Sequence, residues 1–157
     1  MIVRPVTFAD LDRCLALFVA VAEEGRWIAT EAPVDRREVR ARWKALLATG
    51  EGVLLMAEDG EAPVGLAVLV GRDAPELGML VAAGRRGQGI GSALLQAALA
   101  WAQEAGAARV VLHVFPHNLP ARALYRKYGF AETGLAAAAF PRADGERWDA
   151  IRMEKPL

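Results

Sequence analysis

Three glycines alternate with other residues in one short segment, at Gly87, Gly89 and Gly91. Residues without a Cβ let a ligand approach the backbone closely, and successive free NH groups then form a concave anion site. The positive end of a following helix adds attraction for phosphate oxygens, and Arg85 and Arg86 place two cations beside the loop. The segment therefore predicts a phosphate-binding loop.

Two common types of phosphate loop are excluded by the letters around these glycines. No glycine is followed by Lys and then Ser or Thr, and Ser92 stands where Gly-x-Gly-x-x-Gly needs its last glycine. A kinase-like or dinucleotide-binding loop therefore loses support. What remains is the pattern Arg-x-x-Gly-x-Gly, which runs from Arg86 to Gly91.

The hydrophobic pattern predicts the elements that carry this loop. A strand over Glu76–Val81 precedes it, a helix from Ser92 to Ala105 follows, and Arg109–Phe115 forms the next strand. Upstream we expect a strand over Ile2–Val6, a helix begun by the capping pattern Thr7-Phe8-Ala9-Asp10, a helix capped by Asp35, and a hairpin of Val53–Ala57 and Val64–Val70. Downstream we expect a helix capped by Asn118, a strand from Phe130 after Gly129, and a last strand over Trp148–Met153.

The order of these elements defines the fold class. Strand, helix and strand in the second half require a parallel pair joined by a crossover, whereas the hairpin is antiparallel. The sequence thus predicts an α/β fold with a mixed sheet. At 157 residues, we expect one domain over the whole chain, residues 1–157.

Composition excludes several classes of protein. Hydrophobic residues make up 54% of the chain and charged residues 24%, which is typical of a globular domain. The 19 basic and 19 acidic residues cancel, so no nucleic-acid or membrane partner is expected. The lone Cys14 cannot form an intrachain disulfide, and we expect it to be buried. No signal peptide or apolar run of about 20 residues is present, so the expected location is cytoplasmic.

The pattern from Arg86 to Gly91 resembles the pyrophosphate-binding signature of the GNAT family of N-acetyltransferases. The resemblance extends to Asn118, to Leu124-Tyr125 and to Gly129-Phe130, and covers roughly a third of the chain, from Glu76 to Phe130. It implies a mostly antiparallel sheet with a splayed parallel pair, flanked by helices. It also implies acetyl-CoA as cosubstrate.

The resemblance assigns cofactor contacts residue by residue. Main-chain groups of Leu80 and Val81 would hold the pantetheine arm and polarise the thioester carbonyl. The remaining predicted cofactor-binding residues are Arg86, Gly87, Gln88, Gly89, Gly91, Ser92 and Asn118. Asn118 can also act only as a helix cap.

Tyr125 corresponds to the general acid of the family. A phenol with an ordinary pKa of about 10 suits proton donation to a departing thiolate. The alternative is that Tyr125 packs in the core beside Phe130. Tyr128, one helical turn further on, offers a comparison at a position away from the catalytic one.

Three residues compete for the role of general base. Glu76 begins the cofactor strand, and His113 stands where related protein-alanine acetyltransferases carry a glutamate. Glu31 lies in the connector that resembles the acceptor-binding region of the family. We rank them in that order; Glu76 and Glu31 can equally be solvated surface acids.

The acceptor is less well defined than the donor. Trp27 and Glu31 are the candidate acceptor-binding residues, together with the loop Phe140–Gly145, and their composition suits a small polar or zwitterionic ligand. No metal is expected, because His117 has no second ligand at metal spacing.

The predicted function is transfer of an acetyl group from acetyl-CoA to a primary amine of an amino acid, a small amine or a protein N-terminus. The protein would act as a monomer or homodimer. Two alternatives remain open: an inactive acyl-CoA-binding sensor, and a nucleotide-binding module that uses the loop alone.

Overall fold

The computed structural model describes residues 1–157 and contains the predicted elements in the predicted order. The strands are β1 (Ile2–Pro5), β2 (Gly52–Asp59), β3 (Ala62–Val70), β4 (Glu76–Val81), β5 (Arg109–Val114), β6 (Ala131–Pro141) and β7 (Arg147–Pro156). The helices are α1 (Leu11–Glu23), α2 (Arg36–Thr49), α3 (Ile90–Glu104) and α4 (Leu119–Lys127). The alanine-rich stretch from Leu135 to Ala139 lies inside β6.

The three predicted helix caps are confirmed. Thr7 donates from its backbone NH and its hydroxyl to Asp10 Oδ2, at 2.8 and 2.9 Å, which completes the capping pattern before α1. Asp35 Oδ1 accepts from the Glu38 NH at 3.1 Å. The Asn118 side chain caps α4 in the same way, through the Ala121 NH. Short polar side chains thus satisfy NH groups that a helix start leaves free.

One sheet takes strands from both ends of the chain. Its strand order is β1-β2-β3-β4-β5-β7-β6, and every neighbouring pair is antiparallel except β4 and β5. Helix α3 is the crossover between these two parallel strands. The predicted mixed, mostly antiparallel sheet with one parallel pair, flanked by helices, is therefore confirmed.

The parallel pair opens soon after it begins. Strand β4 pairs with β5 only at Glu76↔Val111 and Leu77↔Leu112, whereas it stays paired with β3 as far as Gly65↔Val81. The second half of β4 thus keeps one neighbour and leaves the other. A gap opens in the middle of the sheet as a result.

Separate apolar clusters cover the two faces of the sheet. Helices α3 and α4 pack on one face, where Leu94 and Tyr125 are buried. Helices α1 and α2 pack on the other face, where Cys14 and Trp43 are buried. The predicted burial of Cys14 is confirmed, and its Sγ lies 3.6 Å from Met56 Sδ.

The helices are short or polar by membrane standards. None of them combines the length and the apolar character that crossing a membrane would require.

Candidate active site

A cleft of about 650 Å³ occupies the gap between β4 and β5. Most of the residues singled out from the sequence line it: Trp27, Glu76, Leu80, Val81, Arg86, Gly87, Gly89, Gly91, Ser92, His113, Asn118 and Tyr125. Gln88 and Glu31 do not. The structure thus brings the phosphate-type loop, the tyrosine and two of the base candidates to one cavity.

The loop end of the cleft, which we call the donor end (residues 85–92), offers free backbone donors. The NH groups of Gly89, Ile90, Gly91 and Ser92 find no acceptor within the protein, and Gly89 provides no side-chain cap for α3. The positive end of the α3 dipole lies at the same place. This end of the cleft is therefore suited to an anion.

The three glycines of the loop have different physical roles. Gly87 and Gly89 adopt φ angles of 76° and 83°, a left-handed conformation, and a Cβ on either would meet no protein atom within 4 Å. A Cβ on Gly91 would instead lie 3.1 Å from Leu124 Cδ2. Gly87 and Gly89 thus shape the loop beside open space, whereas Gly91 lets α3 approach α4.

Both loop arginines are held in place by neighbouring side chains. Arg86 forms a bidentate pair with Glu24, at 2.7 and 2.8 Å, and its Nε donates to the Val81 carbonyl. This hydrogen bonding lowers the pKa of Glu24. Arg85 pairs with Asp59 and donates to the Gln88 side chain, so Gln88 positions an arginine rather than lining the cleft. An anion at the donor end has to compete with these carboxylates.

Strand β4 presents alternate backbone groups to the gap. Ala82 donates to the Val64 carbonyl on β3 at 2.9 Å, so with the observed register Leu80 also directs its NH and carbonyl towards β3. Met79 and Val81 direct theirs to the opposite side, where β5 has separated. This alternation corrects the main-chain role predicted for Leu80: Val81 remains a candidate, Met79 joins it, and the NH and carbonyl of Leu80 face β3 instead of the gap.

Tyr125 and Tyr128 lie on the same helical region but in different surroundings. Tyr125 is buried against Phe130 and lines the cleft, and its burial raises the pKa of the phenol to about 12. The Tyr128 hydroxyl accepts from Gln96 at 2.7 Å and is outside the cleft lining. Hydrogen bonds from Ser92 and Gln96 lower the pKa of Tyr128. Only Tyr125 presents a protonated phenol to the gap.

Glu76 and His113, which the sequence offered as competing bases, form one pair. His113 Nδ1 lies 2.9 Å from Glu76 Oε1, because the two strands are still adjacent at this level. When Nδ1 carries the proton and donates it to the carboxylate, Nε2 is left as an acceptor. In that tautomer Nε2 can accept a hydrogen bond from a ligand in the cleft.

Glu31 has a different environment from the one expected of a base. Its Oε1 accepts from the Ala143 NH at 2.9 Å and lies 3.1 Å from Arg142 Nε. The carboxylate thus ties the connector between α1 and α2 to the β6–β7 hairpin. Glu31 is outside the cleft lining and helps to hold the connector, which contributes Trp27, Ile28 and Ala29 to that lining.

Arg142 is the main link between the α1–α2 connector (residues 24–35) and the β6–β7 hairpin (residues 131–156). Its side chain is 2% exposed, stacks on Trp148 at 4.0 Å, and donates to the carbonyls of Gly25, Ile28 and Ala29. A buried guanidinium with several carbonyl partners is a strong structural tie. The sequence analysis had placed Arg142 in an acceptor loop without this role.

Aromatic rings line a second part of the cleft, which we call the acceptor end and which meets the loop where Arg86 lies 5.5 Å from the Trp27 ring centroid. Trp27 from the connector, Phe115 after β5 and Phe140 from β6 all line it, and the rings of Phe115 and Phe140 meet edge to face at 5.6 Å. Phe140 belongs to the loop named from the sequence as part of the acceptor site, whereas Met79 and Phe115 were not predicted to line the cleft. Strand alternation could have indicated Met79, whereas no local signal connects the two phenylalanines.

No group of three or more His, Cys, Asp or Glu side chains is arranged to hold a metal ion. His117, the other histidine, contacts the Arg26 carbonyl through Nε2 at 2.7 Å and packs beside Phe115 and Trp148.

Comparison with known proteins agrees with this geometry. Residues 16–130 match the family model described as the acetyltransferase (GNAT) family. The chain is 31% identical over 160 residues to a Bacillus subtilis (strain 168) protein named "Putative phosphinothricin acetyltransferase YwnH", with 95% of this chain and 94% of that protein covered.

Solved structures show the same fold. The crystal structure of a ribosomal-protein-alanine N-acetyltransferase from Brucella melitensis superposes with a TM-score of 0.91 at 28% identity, covering all of both chains. A phosphinothricin acetyltransferase from Sinorhizobium meliloti, solved in complex with AcCoA, gives a TM-score of 0.88 at 24% identity, covering 99% of this chain and 88% of that one. This chain belongs to the GNAT family and is an acetyl-CoA-dependent N-acetyltransferase.

The residues at the donor end fit the cosubstrate of this family. Free NH groups at the start of α3, open space beside Gly87 and Gly89, and two adjacent arginines match the needs of a pyrophosphate. The gap beside Met79 and Val81 leaves main-chain groups for an extended amide-bearing arm. Nothing in the arrangement conflicts with acetyl-CoA.

Proposed function

We propose that this enzyme transfers the acetyl group to a primary amine by direct attack of the amine nitrogen on the thioester. The observation that carries the proposal is the shared cleft, which Tyr125 lines from α4 while Glu76 and His113 line it from the paired ends of β4 and β5. Acetylation of an amine needs a proton acceptor for the incoming nitrogen and a proton donor for the departing thiolate. The cleft contains one candidate for each role.

At the donor end, bound acetyl-CoA supplies an acetyl group activated as a thioester. The free NH groups of the loop and the adjacent Arg86 hold the pyrophosphate, and Asn118 lines the same cleft from the start of α4. The Val81 NH, directed into the gap, is the candidate donor to the carbonyl oxygen as negative charge develops there. The Tyr125 hydroxyl keeps its proton at neutral pH because burial raises its pKa to about 12.

On the other side of the gap, Glu76 and His113 act together. Glu76 fixes the proton of His113 on Nδ1, and Nε2 accepts a proton from the amine, directly or through water. His113 is then the base and Glu76 the residue that positions it, although the sequence offered the two as competing bases. We also propose that residues 1–157 work as one domain, since a single sheet takes strands from Ile2 to Pro156.

A two-part assay tests the proposal. The protein is incubated with acetyl-CoA and a panel of primary amines, free thiol is measured, and the products are identified by mass spectrometry. The expected result is thiol release that depends on the amine and equals the amount of N-acetylated product. Thiol release without an amine would contradict direct transfer.

Ligand binding separates the alternatives. A ligand selective for the native state raises the melting temperature, so acetyl-CoA and CoA should stabilise the protein, whereas ATP should not. Stabilisation by acetyl-CoA with no turnover on any amine would indicate an acyl-CoA-binding sensor. Stabilisation by ATP alone would indicate a nucleotide-binding module.

A further inference from the structure

We propose that the acceptor is an amine with an apolar, preferably aromatic, body and no acidic group. Free amino acids, and phosphinothricin with its carboxylate and phosphinate, should then be poor substrates. The proposal rests on the amine acetylation proposed above and narrows its acceptor class. It also replaces the small polar or zwitterionic ligand that the loop composition favoured.

The charges along the cleft are distributed unequally between its ends. Its lining contains two arginines, Arg85 and Arg86, and both belong to the donor loop. Away from that loop the ionisable side chains of the lining are Glu76 and His113, and the one arginine of the lining that reaches the aromatic rings is Arg86, which lies 5.5 Å from the Trp27 ring centroid and pairs with Glu24. Such a site attracts an ammonium group and repels a second carboxylate.

The arginine closest to the acceptor end in the hairpin is not available to a ligand. Arg142 directs its Nη atoms to three carbonyls of the connector, and its Nε faces Glu31 at 3.1 Å. With the side chain 2% exposed, the guanidinium has no free face towards the cleft. A ligand carboxylate would have to displace main-chain acceptors to reach it.

The remaining polar groups near this end are also engaged. Arg26 lies over the Trp27 ring at 4.5 Å and is outside the cleft lining. Arg86 pairs with Glu24 through both Nη atoms and is the arginine proposed above to hold the pyrophosphate, so it is occupied in the complex with acetyl-CoA, and the His117 Nε2 contacts the Arg26 carbonyl. An acidic acceptor would therefore lose its hydration without gaining a partner.

The walls favour an apolar body instead. Trp27, Phe115 and Phe140 present ring surface to the cleft, and burial of hydrocarbon or of an aromatic ring against them removes apolar area from water. An unpaired carboxylate in the same place costs free energy. Both effects select amines without an acid group.

Three acceptors with the same phenylethyl skeleton isolate the carboxylate. In 2-phenylethylamine it is absent, in phenylalanine it is present, and in phenylalaninamide a neutral amide replaces it. With rates referred to the concentration of neutral amine, kcat/KM for the amine and the amide should exceed that for phenylalanine by about 10- to 100-fold. A kcat/KM for phenylalanine or phosphinothricin equal to or above that for 2-phenylethylamine would overturn the proposal.

The outcomes also separate this proposal from the one on which it rests. Efficient acetylation of phenylalanine would refute the acceptor class while supporting amine acetylation. An absence of turnover on every acceptor would refute both.

A charge introduced at the acceptor end provides a second test. Phe140→Arg supplies a cation without a carboxylate partner, and Phe140→Leu is the matched variant that loses the ring without adding charge. The ratio of kcat/KM for phenylalanine over 2-phenylethylamine should rise about tenfold in Phe140→Arg relative to Phe140→Leu. An equal ratio in the two variants would contradict the proposal.

Discussion

The two ends of the cleft are built in different ways. The donor end comes from one continuous segment, residues 85–92, and offers backbone NH groups at the start of α3. The acceptor end is assembled from the α1–α2 connector, the residues after β5 and the β6–β7 hairpin, and offers side chains. Arg142 fastens two of these segments together by hydrogen bonds to carbonyls.

Because the two ends are built differently, the binding of acetyl-CoA and the binding of the amine depend on different contacts. The donor end is formed by a loop and the helix that directly follows it, and long-range contacts with Glu24 and Asp59 hold its two arginines. The acceptor end depends on long-range contacts, because the hydrogen bonds of Arg142 hold the β6–β7 hairpin to the α1–α2 connector. Substitutions should therefore affect the two ends separately, and Tyr125, which lies between them, should affect the chemical step rather than either binding step.

The largest expected effect is on that chemical step. Tyr125→Phe removes the proton donor and should lower kcat by about 100-fold or more while leaving the affinity for acetyl-CoA unchanged. Tyr128→Phe is the matched control, because Tyr128 is outside the cleft lining; its hydroxyl bonds Gln96 and Ser92, so this variant should keep nearly full kcat even if the affinity for acetyl-CoA changes slightly. Steady-state kinetics and calorimetric titration with acetyl-CoA measure both quantities. Equal losses in the two variants would refute the role of Tyr125.

The second-largest effect is expected when the buried Arg142 side chain at the acceptor end is replaced. Arg142→Met leaves the connector carbonyls and Glu31 without their partner, so we expect a destabilisation of about 2–4 kcal/mol in denaturant unfolding. The KM for the amine should rise about tenfold while the Kd for acetyl-CoA changes by less than about twofold. Arg147→Met, at an exposed site in the same hairpin, is the control. A loss of acetyl-CoA affinity in Arg142→Met as large as the rise in KM for the amine would contradict the prediction that the two ends respond separately.

A smaller effect is expected from the donor loop. Gly89→Ala introduces a Cβ at a φ of 83°, which strains the turn that presents the free NH groups. The Kd for acetyl-CoA should rise about tenfold, and the ratio of KM values for different amines should stay the same. Gly84→Ala is the control, since Gly84 has an ordinary φ and open space around it. Equal affinities of Gly89→Ala and Gly84→Ala for acetyl-CoA would contradict the proposed anion site formed by the loop NH groups.

The smallest effect concerns the layer of α1 and α2 on one face of the sheet, where Cys14 is buried. Burial raises the pKa of Cys14 to about 12, so above the ordinary thiol pKa of about 8.5 the folded protein keeps a proton that the unfolded chain has lost. Stability should therefore fall as pH rises above that value, by about 1–2 kcal/mol at pH 10. Cys14→Ala should be less stable at neutral pH but should lack this part of the alkaline decline. Parallel pH profiles of unfolding free energy for the two proteins would count against the assignment.

The donor half of the fold could be predicted because its signals are local. The glycine positions, the cap at Asn118 and the strand over Glu76–Val81 depend on neighbours in sequence, and the structure has them where expected. The helix after the loop begins at Ile90 rather than Ser92, because Gly89 already acts as its N-cap. The side chain of Gln88 is the exception, since its contact with Arg85 depends on a rotamer that sequence does not determine.

The acceptor half could not be predicted in the same way, because its contacts join residues far apart in the chain. Glu31 looked like a free acid, but it contacts Ala143. Glu76 and His113 looked like rivals until the short register of β4 and β5 placed them 2.9 Å apart. The buried state of Arg142 follows only from the way the hairpin folds back on the connector.

The central claim is that one cleft holds both substrates at once, with the acetyl group passing directly between them. Initial rates measured with acetyl-CoA and 2-phenylethylamine varied together test it most directly. Direct transfer predicts intersecting lines in double-reciprocal plots, because both substrates must be bound before product leaves. Parallel lines, the mark of an acetylated enzyme that forms before the amine binds, would contradict the account.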